Sequence, residues 1–247
     1  MLNAGLLHED VHTVYGTGLR GYAVQTTFTP EGVIKRTPVP DESPDTKILA
    51  KVTEPFSKNG GLKVLSGSLG TAIMKVSAVA PERHIIEAPA KVFSSQADVQ
   101  KAFQAGQLNQ DVVVVVRFLG PKAAGMPEAH KLTPLLAILQ SRGFKVALVT
   151  DGRMSGASGT VPAAIHVIPE ALDGGPIAKV RDGDIVRVDG IVGTLELCLD
   201  ESEISQREPA YIDLSDKYAG AGRELFSGLR LNLLPANQGA TATGRIW

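Results

Sequence analysis

The chain predicts an α/β fold rich in strands, a barrel-like mixed sheet that carries a βαβ unit and is flanked by helices. Three observations carry this expectation. Two nearly unbroken apolar runs, residues 112–119 and 144–149, have the composition of strands buried on both faces. A segment with the apolar stripe of a helix joins them, which makes a βαβ unit and therefore a parallel pair. Downstream, short stretches alternate apolar with polar residues between Asp-Gly pairs at 182–183 and 189–190, the pattern of antiparallel hairpins.

Bulk properties narrow the classes of function. With 247 residues the chain is long enough for a self-sufficient core. Its 25 basic and 26 acidic residues nearly balance, so a nucleic-acid polymer is not an expected partner, because a phosphate backbone calls for a basic excess on one face. Small anions need only a few local groups. The single cysteine, Cys198, excludes an internal disulfide framework and any multi-cysteine metal site held by this chain alone, and it points to a reducing compartment, the cytoplasm. No apolar run approaches the roughly 18 residues that span a bilayer, and Met1-Leu2-Asn3 opens no signal peptide, so no membrane partner is expected.

Taken in order, residues 2–8 read as the end of a helix whose start lies upstream of this chain. His8 and His12 stand at i, i+4, but Val11 and Thr13 favour extended chain and no Glu completes a metalloprotease motif, so they read as surface histidines. Gly16 to Gly21 spells a dinucleotide fingerprint, with Asp41 where an acidic ribose ligand would be sought. The segment after Gly21 is β-prone, whereas such a fingerprint must open a helix, and Asp41 sits among prolines; the cofactor reading, and with it a dehydrogenase, is rejected. Residues 1–45 are expected to be the remnant of a preceding domain and its linker, 46–238 a β-rich domain, and 239–247 an unpacked tail.

Within that domain, residues 48–53, 62–70, 74–79 and 85–92 read as strands or extended chain. Ser95 caps a helix from Gln96 to Gln104, with Asp98 in the capping-box position and Gly106 as the stop. Thr133 caps the next helix, Pro134 takes its first position, and Gly143 ends it. Residues 184–188 and 194–199 form a hairpin, with Cys198 as a structural thiol. A final helix starts near Gly222 and lapses at Leu234-Pro235.

Both buried strands run into polar loops rich in small residues. After 144–149 comes Thr150-Asp-Gly-Arg-Met-Ser-Gly-Ala-Ser-Gly159, and after 112–119 comes Gly120-Pro-Lys-Ala-Ala-Gly-Met-Pro-Glu128. Glycines and serines that directly follow a buried strand allow close backbone approach to a ligand, although an ordinary turn has the same composition. Asp151 and Arg153, two opposite charges around one glycine, favour a site. Lys122 and Glu128 bracket a span that proline and glycine keep out of helix. The ligand of a βαβ unit lies outside the carboxyl ends of its strands, so both loops are expected to face one crevice. His166 comes soon after, either as a site base or as a hydrogen-bonded core histidine.

These stretches, together with Ser66-Gly-Ser-Leu-Gly70, Lys75-Val-Ser-Ala-Val79 and Lys179-Val-Arg-Asp-Gly-Asp184, resemble the carboxyl-terminal part of the dihydroxy-acid dehydratase and 6-phosphogluconate dehydratase family. The resemblance covers essentially residues 1–238 in order, and the run from Arg153 to His166 is closer to the 6-phosphogluconate branch. It implies a swivelling-type carboxyl-terminal domain of a cytoplasmic hydro-lyase that dehydrates 6-phospho-D-gluconate to 2-dehydro-3-deoxy-6-phosphogluconate in the Entner-Doudoroff route. It also implies an iron-sulfur cluster as Lewis acid, a magnesium ion at the carboxylate end, and a homodimer as the full-length form. By position Ser155 matches the serine base and Glu128 the magnesium ligand from this half, while Arg153, Gly152, Ser158 and Lys122 fall where substrate is bound. The cluster ligands belong in the family to an amino-terminal domain that this chain lacks, and Cys198 matches none of them, so the chain alone is expected to be inactive. Two other readings stay open: a dehydratase for another sugar acid or a branched 2,3-dihydroxy acid, and a non-catalytic docking domain.

Overall fold

The computed structural model describes residues 1–40, 42–155 and 159–243. The chain divides into two compact units, Met1–Asn59 and Gly60–Trp247. In the first, β1 (His12–Thr13) pairs antiparallel with β2 (Gly16–Thr17), and β3 (Val24–Phe28) with β4 (Ile34–Pro38). The glycines from 16 to 21 thus serve a hairpin and a 3-10 turn, and β3 stands where a nucleotide-binding fingerprint would need a helix. His12 Nδ1 lies 3.3 Å from Thr17 Oγ1 and His8 Nδ1 4.0 Å from Asp10, so each histidine has its own neighbour. Asp41 lies outside the described residues. Residues 2–8 hold one 3-10 turn, Leu2–Ala4.

Residues 48–53, expected as a strand, form turns instead. The Asp45 carboxylate accepts the Lys47 amide at 2.9 Å and the Asp45 carbonyl accepts the Leu49 amide at 3.0 Å. Local bonds of this kind occupy the backbone groups that a ladder would use.

The second unit is built on a closed barrel of eight strands: β5 (Leu62–Gly67), β6 (Gly70–Lys75), β7 (Ile85–Phe93), β8 (Val112–Val116), β9 (Val146–Thr150), β10 (Ala163–Ile168), β11 (Ile185–Asp189) and β12 (Thr194–Leu197). Their order around the barrel is β10-β6-β5-β12-β11-β7-β8-β9. Strands β7, β8, β9 and β10 run parallel to their neighbours in that series, β12 runs parallel to β5, and the other pairs are antiparallel. Closure leaves no exposed strand edge.

Period-two alternation explains how the barrel is filled and covered. Val113 and Val115 of β8 and Ala147 and Val149 of β9 point inward, into one core with Leu65, Met74, Val186 and Leu195. Val112, Val114, Val116, Val146 and Leu148 point outward into a second core beneath α1 (Gln96–Gln104) and α3 (Leu132–Ser141), which supply Val99, Leu132, Leu136 and Leu139. The expected βαβ unit is therefore present as β8-α3-β9. A second one, β7-α1-β8, precedes it.

Several boundaries move for identifiable reasons. Ser95 Oγ accepts the Asp98 amide at 3.2 Å, as the capping pattern requires. Thr133, expected to cap α3, instead sits inside its first turn with its hydroxyl 3.1 Å from Met154 Sδ. Strand β8 ends at Val116, because Phe118 takes a left-handed φ of 65° that turns the chain. Pro121 does not exclude helix after β8; it opens the single turn α2 (Pro121–Ala124), where a missing amide costs nothing. Strand β6 starts at Gly70, ahead of the expected residue 74, since Gly67 and Gly70 pair and the β5-β6 hairpin turn is only Ser68-Leu69. Beyond the barrel come α4 (Glu201–Gln206), α5 (Ser215–Tyr218) and α6 (Ser227–Leu231). Ala240 and Leu234 bond back to Pro235 and Thr241, and residues 244–247 lie outside the described ones. Among the described residues no helix is long and apolar enough to cross a membrane.

Asp151, just past β9, is fully buried. Its carboxylate accepts the amides of Phe118 at 3.1 Å, Leu119 at 2.8 Å and Ala171 at 3.0 Å. The charge that the sequence places in a site loop is thus an internal clamp on three chain segments. Asp151→Ala leaves three buried donors without an acceptor, and we expect a loss of about 3 kcal/mol or more in urea denaturation.

Candidate functional site

Strands β8 and β9 are parallel neighbours, so the chain leaves both on the same side of the sheet. The two loops then meet. Glu128 and Arg153 form an isolated parallel bridge, and the Ala129 amide donates to the Arg153 carbonyl at 3.0 Å. That register aligns the side chains. Arg153 Nη1 lies 2.8 Å from Glu128 Oε2, and Arg153 Nε donates to the Met126 carbonyl at 2.9 Å. Met126 adopts a φ of 53°, a conformation uncommon without glycine. Glu128 Oε1 accepts the Ser155 amide at 2.6 Å. Three of the expected site residues, Glu128, Arg153 and Ser155, are thereby brought into one cluster.

Gly152 is buried beside them for a packing reason. A Cβ there would lie 2.7 Å from Leu119 Cβ, closer than carbon atoms approach. Its amide donates to Thr150 Oγ1 at 3.0 Å and its carbonyl accepts the His166 amide at 2.9 Å, so it links the Ser155 loop to β10. Lys122 goes elsewhere. Its ammonium pairs with both oxygens of Asp173 at 2.7 and 2.9 Å, on the rim of a different hollow that includes Tyr218 and Arg230. Its backbone amide is held by the buried Glu170, whose carboxyl pKa is pushed up mainly by burial. Ser158 lies outside the described residues.

Ser155 lines a cavity of about 270 Å³ on the outside of the barrel. Leu62, Ile73, Val161, Ala163 and Ile165 make its walls apolar, and among the described residues Lys75, Ser155 and His166 also line it. Strand register explains the wall. Leu62 lies opposite Lys75, and Ile73 opposite Ile165, while the alternate residues Ala72 and Met74 fill the barrel interior.

His166, left open between two roles by the sequence, is a half-buried wall of this cavity. It sits at an irregularity in the β10-β6 ladder with φ 56°, and a bulge of this kind re-aims a side chain. Burial lowers its pKa, and the nearby Arg153 guanidinium lowers it further. The run Lys75–Val79 carries part of the family resemblance, but the resemblance assigns Lys75 no role. Only the alternation of β6, once its start is known to be Gly70, directs it outward to this cavity.

Comparison with known proteins gives a consistent result. Residues 47–240 match the model of the family described as dihydroxy-acid/6-phosphogluconate dehydratase C-terminal. The chain is 56% identical over 241 residues to phosphogluconate dehydratase of Rhizobium meliloti (strain 1021), covering 98% of this chain and 40% of that protein. It is 58% identical over 241 residues to phosphogluconate dehydratase of Escherichia coli (strain K12), again with 98% and 40% covered. Against phosphogluconate dehydratase of Pseudomonas aeruginosa the identity is 54% over 242 residues, with 97% and 39% covered. The chain therefore spans about two fifths of the length of these relatives.

The His166 environment yields a titration test. Its folded pKa lies below the ordinary value of 6.5, so between those two values the unfolded chain binds more protons and stability falls as pH drops through the interval. Histidine NMR should place the His166 midpoint below 6.5. Arg153→Met should raise it only in part, since burial is the larger cause, and His166→Gln should remove this share of the pH dependence.

Proposed function

The chain belongs to the dihydroxy-acid/6-phosphogluconate dehydratase C-terminal family, and we propose that it forms the carboxyl-terminal half-site of a hydro-lyase. The reaction is loss of water from 6-phospho-D-gluconate to give 2-dehydro-3-deoxy-6-phosphogluconate in the cytoplasm. Support for the substrate comes from the three phosphogluconate dehydratases compared above. Support for the site rests above all on one arrangement: the Glu128 carboxylate holds both Arg153 and the amide of Ser155, a residue that lines a cavity.

The chemistry asks for a base at C2. Removing the C2 proton and the C3 hydroxide as one water leaves an enol between C2 and C3, which tautomerises to the 2-keto acid. Ser155 is the assigned base. Its backbone is fixed by a charge-assisted bond of 2.6 Å to Glu128, so its hydroxyl is presented from a loop that is held at both the Arg153 and the Ser155 positions. A serine takes a proton only if the resulting charge distribution is stabilised by cations or converging donors. The apolar walls exclude water and strengthen such interactions. His166, with its pKa lowered, stays uncharged at neutral pH and serves as a neutral wall.

The implied cofactors divide between this chain and the rest of the enzyme. An iron-sulfur cluster does not fit here: its ligands are thiolates, the chain has one cysteine, and burial pushes the Cys198 thiol pKa up. Among the described residues no group of three metal-binding side chains gathers. The cluster is assigned to the amino-terminal part of the enzyme, and no step is derived through it. A magnesium ion does fit Glu128 as one ligand of a shared site. That side chain is 23% exposed, and each oxygen, holding one hydrogen bond here, has a second lone pair. When bound, the ion supplies positive charge to carboxylate oxygens of the substrate.

Turnover should appear only when this chain is combined with the amino-terminal part, read as 2-keto acid formed from 6-phosphogluconate. In that assembly Ser155→Ala should lower kcat by about 10²–10⁴-fold with the melting temperature unchanged. Activity within twofold of wild type would remove Ser155 as the base, and turnover by the 247-residue chain alone would refute the half-site.

A further inference from the structure

Gln96 reaches the site from outside both of its loops. It is the first residue of α1, directly after the Ser95 cap, and β7, the strand before it, runs parallel to β8. The start of α1 therefore lies at the end of the sheet from which the Glu128 loop leaves β8. From there Gln96 Nε2 donates to the Glu128 carbonyl at 3.1 Å.

That bond completes a grip on one peptide plane. In a trans peptide the carbonyl of one residue and the amide of the next point in opposite directions. The Ala129 amide is bonded to the Arg153 carbonyl, so the Glu128 carbonyl faces away from Arg153, and Gln96 meets it there. The Glu128–Ala129 peptide is thus held from both sides, between the β9 loop and α1. Regular structure does little to fix this stretch: Gly125 and Met126 take φ of 69° and 53°, and the bridge between Glu128 and Arg153 belongs to no ladder. With the plane fixed, the Glu128 carboxylate is directed to the Arg153 guanidinium on one oxygen and to the Ser155 amide on the other.

Gln96 also carries a cost that packing does not explain. Its Oε1 is buried and has no hydrogen-bond partner among the described residues. A buried acceptor in that state is unfavourable, and an apolar side chain of similar length would fill the space without it. What the amide adds is the donor to Glu128.

Resting on the half-site reading above, we propose that Gln96 is a positioning residue, which acts through the Glu128 backbone to set the carboxylate that holds Arg153 and orients Ser155.

The test is spectroscopic and uses the 247-residue chain. Gln96→Met keeps the length and loses the donor. Gln96→Glu keeps the shape, turns the donor into an acceptor and adds negative charge in the first turn of a helix, where such charge is favourable. Both variants are therefore expected to stay folded, which thermal melts check. Two amide protons report separately, since Ser155 is held by Glu128 and Leu119 by Asp151. In both variants the Ser155 signal should lose most of the downfield displacement that a bond of 2.6 Å to a carboxylate gives it, while Leu119 stays where it is in the wild type. An unmoved Ser155 amide in both variants would overturn the proposal. Equal movement of Ser155 and Leu119 would do the same, because it marks a general loosening. In the assembled enzyme both variants should lower kcat by about 10–100-fold with KM changed far less, since substrate still binds but meets a base out of place. Wild-type kcat in both, where Ser155→Ala is impaired, would also overturn it. Because Ser155→Ala is judged by product formation and Gln96 by the Ser155 amide in the chain alone, the two proposals fail separately.

Discussion

Asp151 places a fully buried carboxylate where β9 ends, and the amides it accepts belong to the turn after β8 and to the segment after β10. Parallel strands end side by side, but nothing in a parallel ladder holds the loops beyond them together. A buried charge with three donors does, because moving any of the three segments would leave either the carboxylate or an amide unsatisfied in a medium that cannot hydrate it. Burial pushes its pKa up, and the bonds from Ala171, Leu119 and Phe118 oppose that rise. Glu170 repeats the device next door, accepting the Lys122 and Ala123 amides and so holding α2 in the β8 loop. With both loops braced from below, the Glu128–Arg153 bridge can form above them.

The cluster at the surface works by the opposite rule. Glu128 and Arg153 are partly exposed, at 23% and 50%, and their ion pair contributes little to folding. Its consequence is geometric: one carboxylate fixes a guanidinium on one oxygen and a backbone amide on the other. Left-handed backbone at Met126 and His166, beside the bridge and in the cavity wall, belongs to the same assembly. Such conformations persist where the surroundings over-determine them, here through the Met126 carbonyl bonded to Arg153 and the His166 amide bonded to Gly152.

The barrel also separates two electrostatic environments. Lys122, in the same loop as Glu128, turns to Asp173 and the hollow by Tyr218 and Arg230. Lys75, remote in sequence from every site loop, lines the cavity with Ser155. A helical turn explains the first: α2 sends Lys122 to a different side from the extended chain that carries Glu128. Strand alternation explains the second.

Much of this was legible in the sequence because it depends on local chemistry. The two buried runs, the helix between them, the Ser95 cap, the Asp-Gly hairpin and the polar loops of Glu128 and Ser155 all derive from residue type and spacing, and the motifs pointed to the dehydratase family. Local rules misread residues 48–53, where turn bonds win over strand propensity, and Pro121, which opens a helical turn in place of preventing one. They could not distinguish Asp151 from Arg153, since two charges around a glycine look alike until burial sorts them. Composition and spacing determined that the two buried runs lie parallel and which loops carry polar groups. Which of those groups share a cavity was decided by barrel closure, by a bulge at His166 and by the outward register of Lys75, because side-chain direction in a sheet is set by pairing with strands distant in sequence.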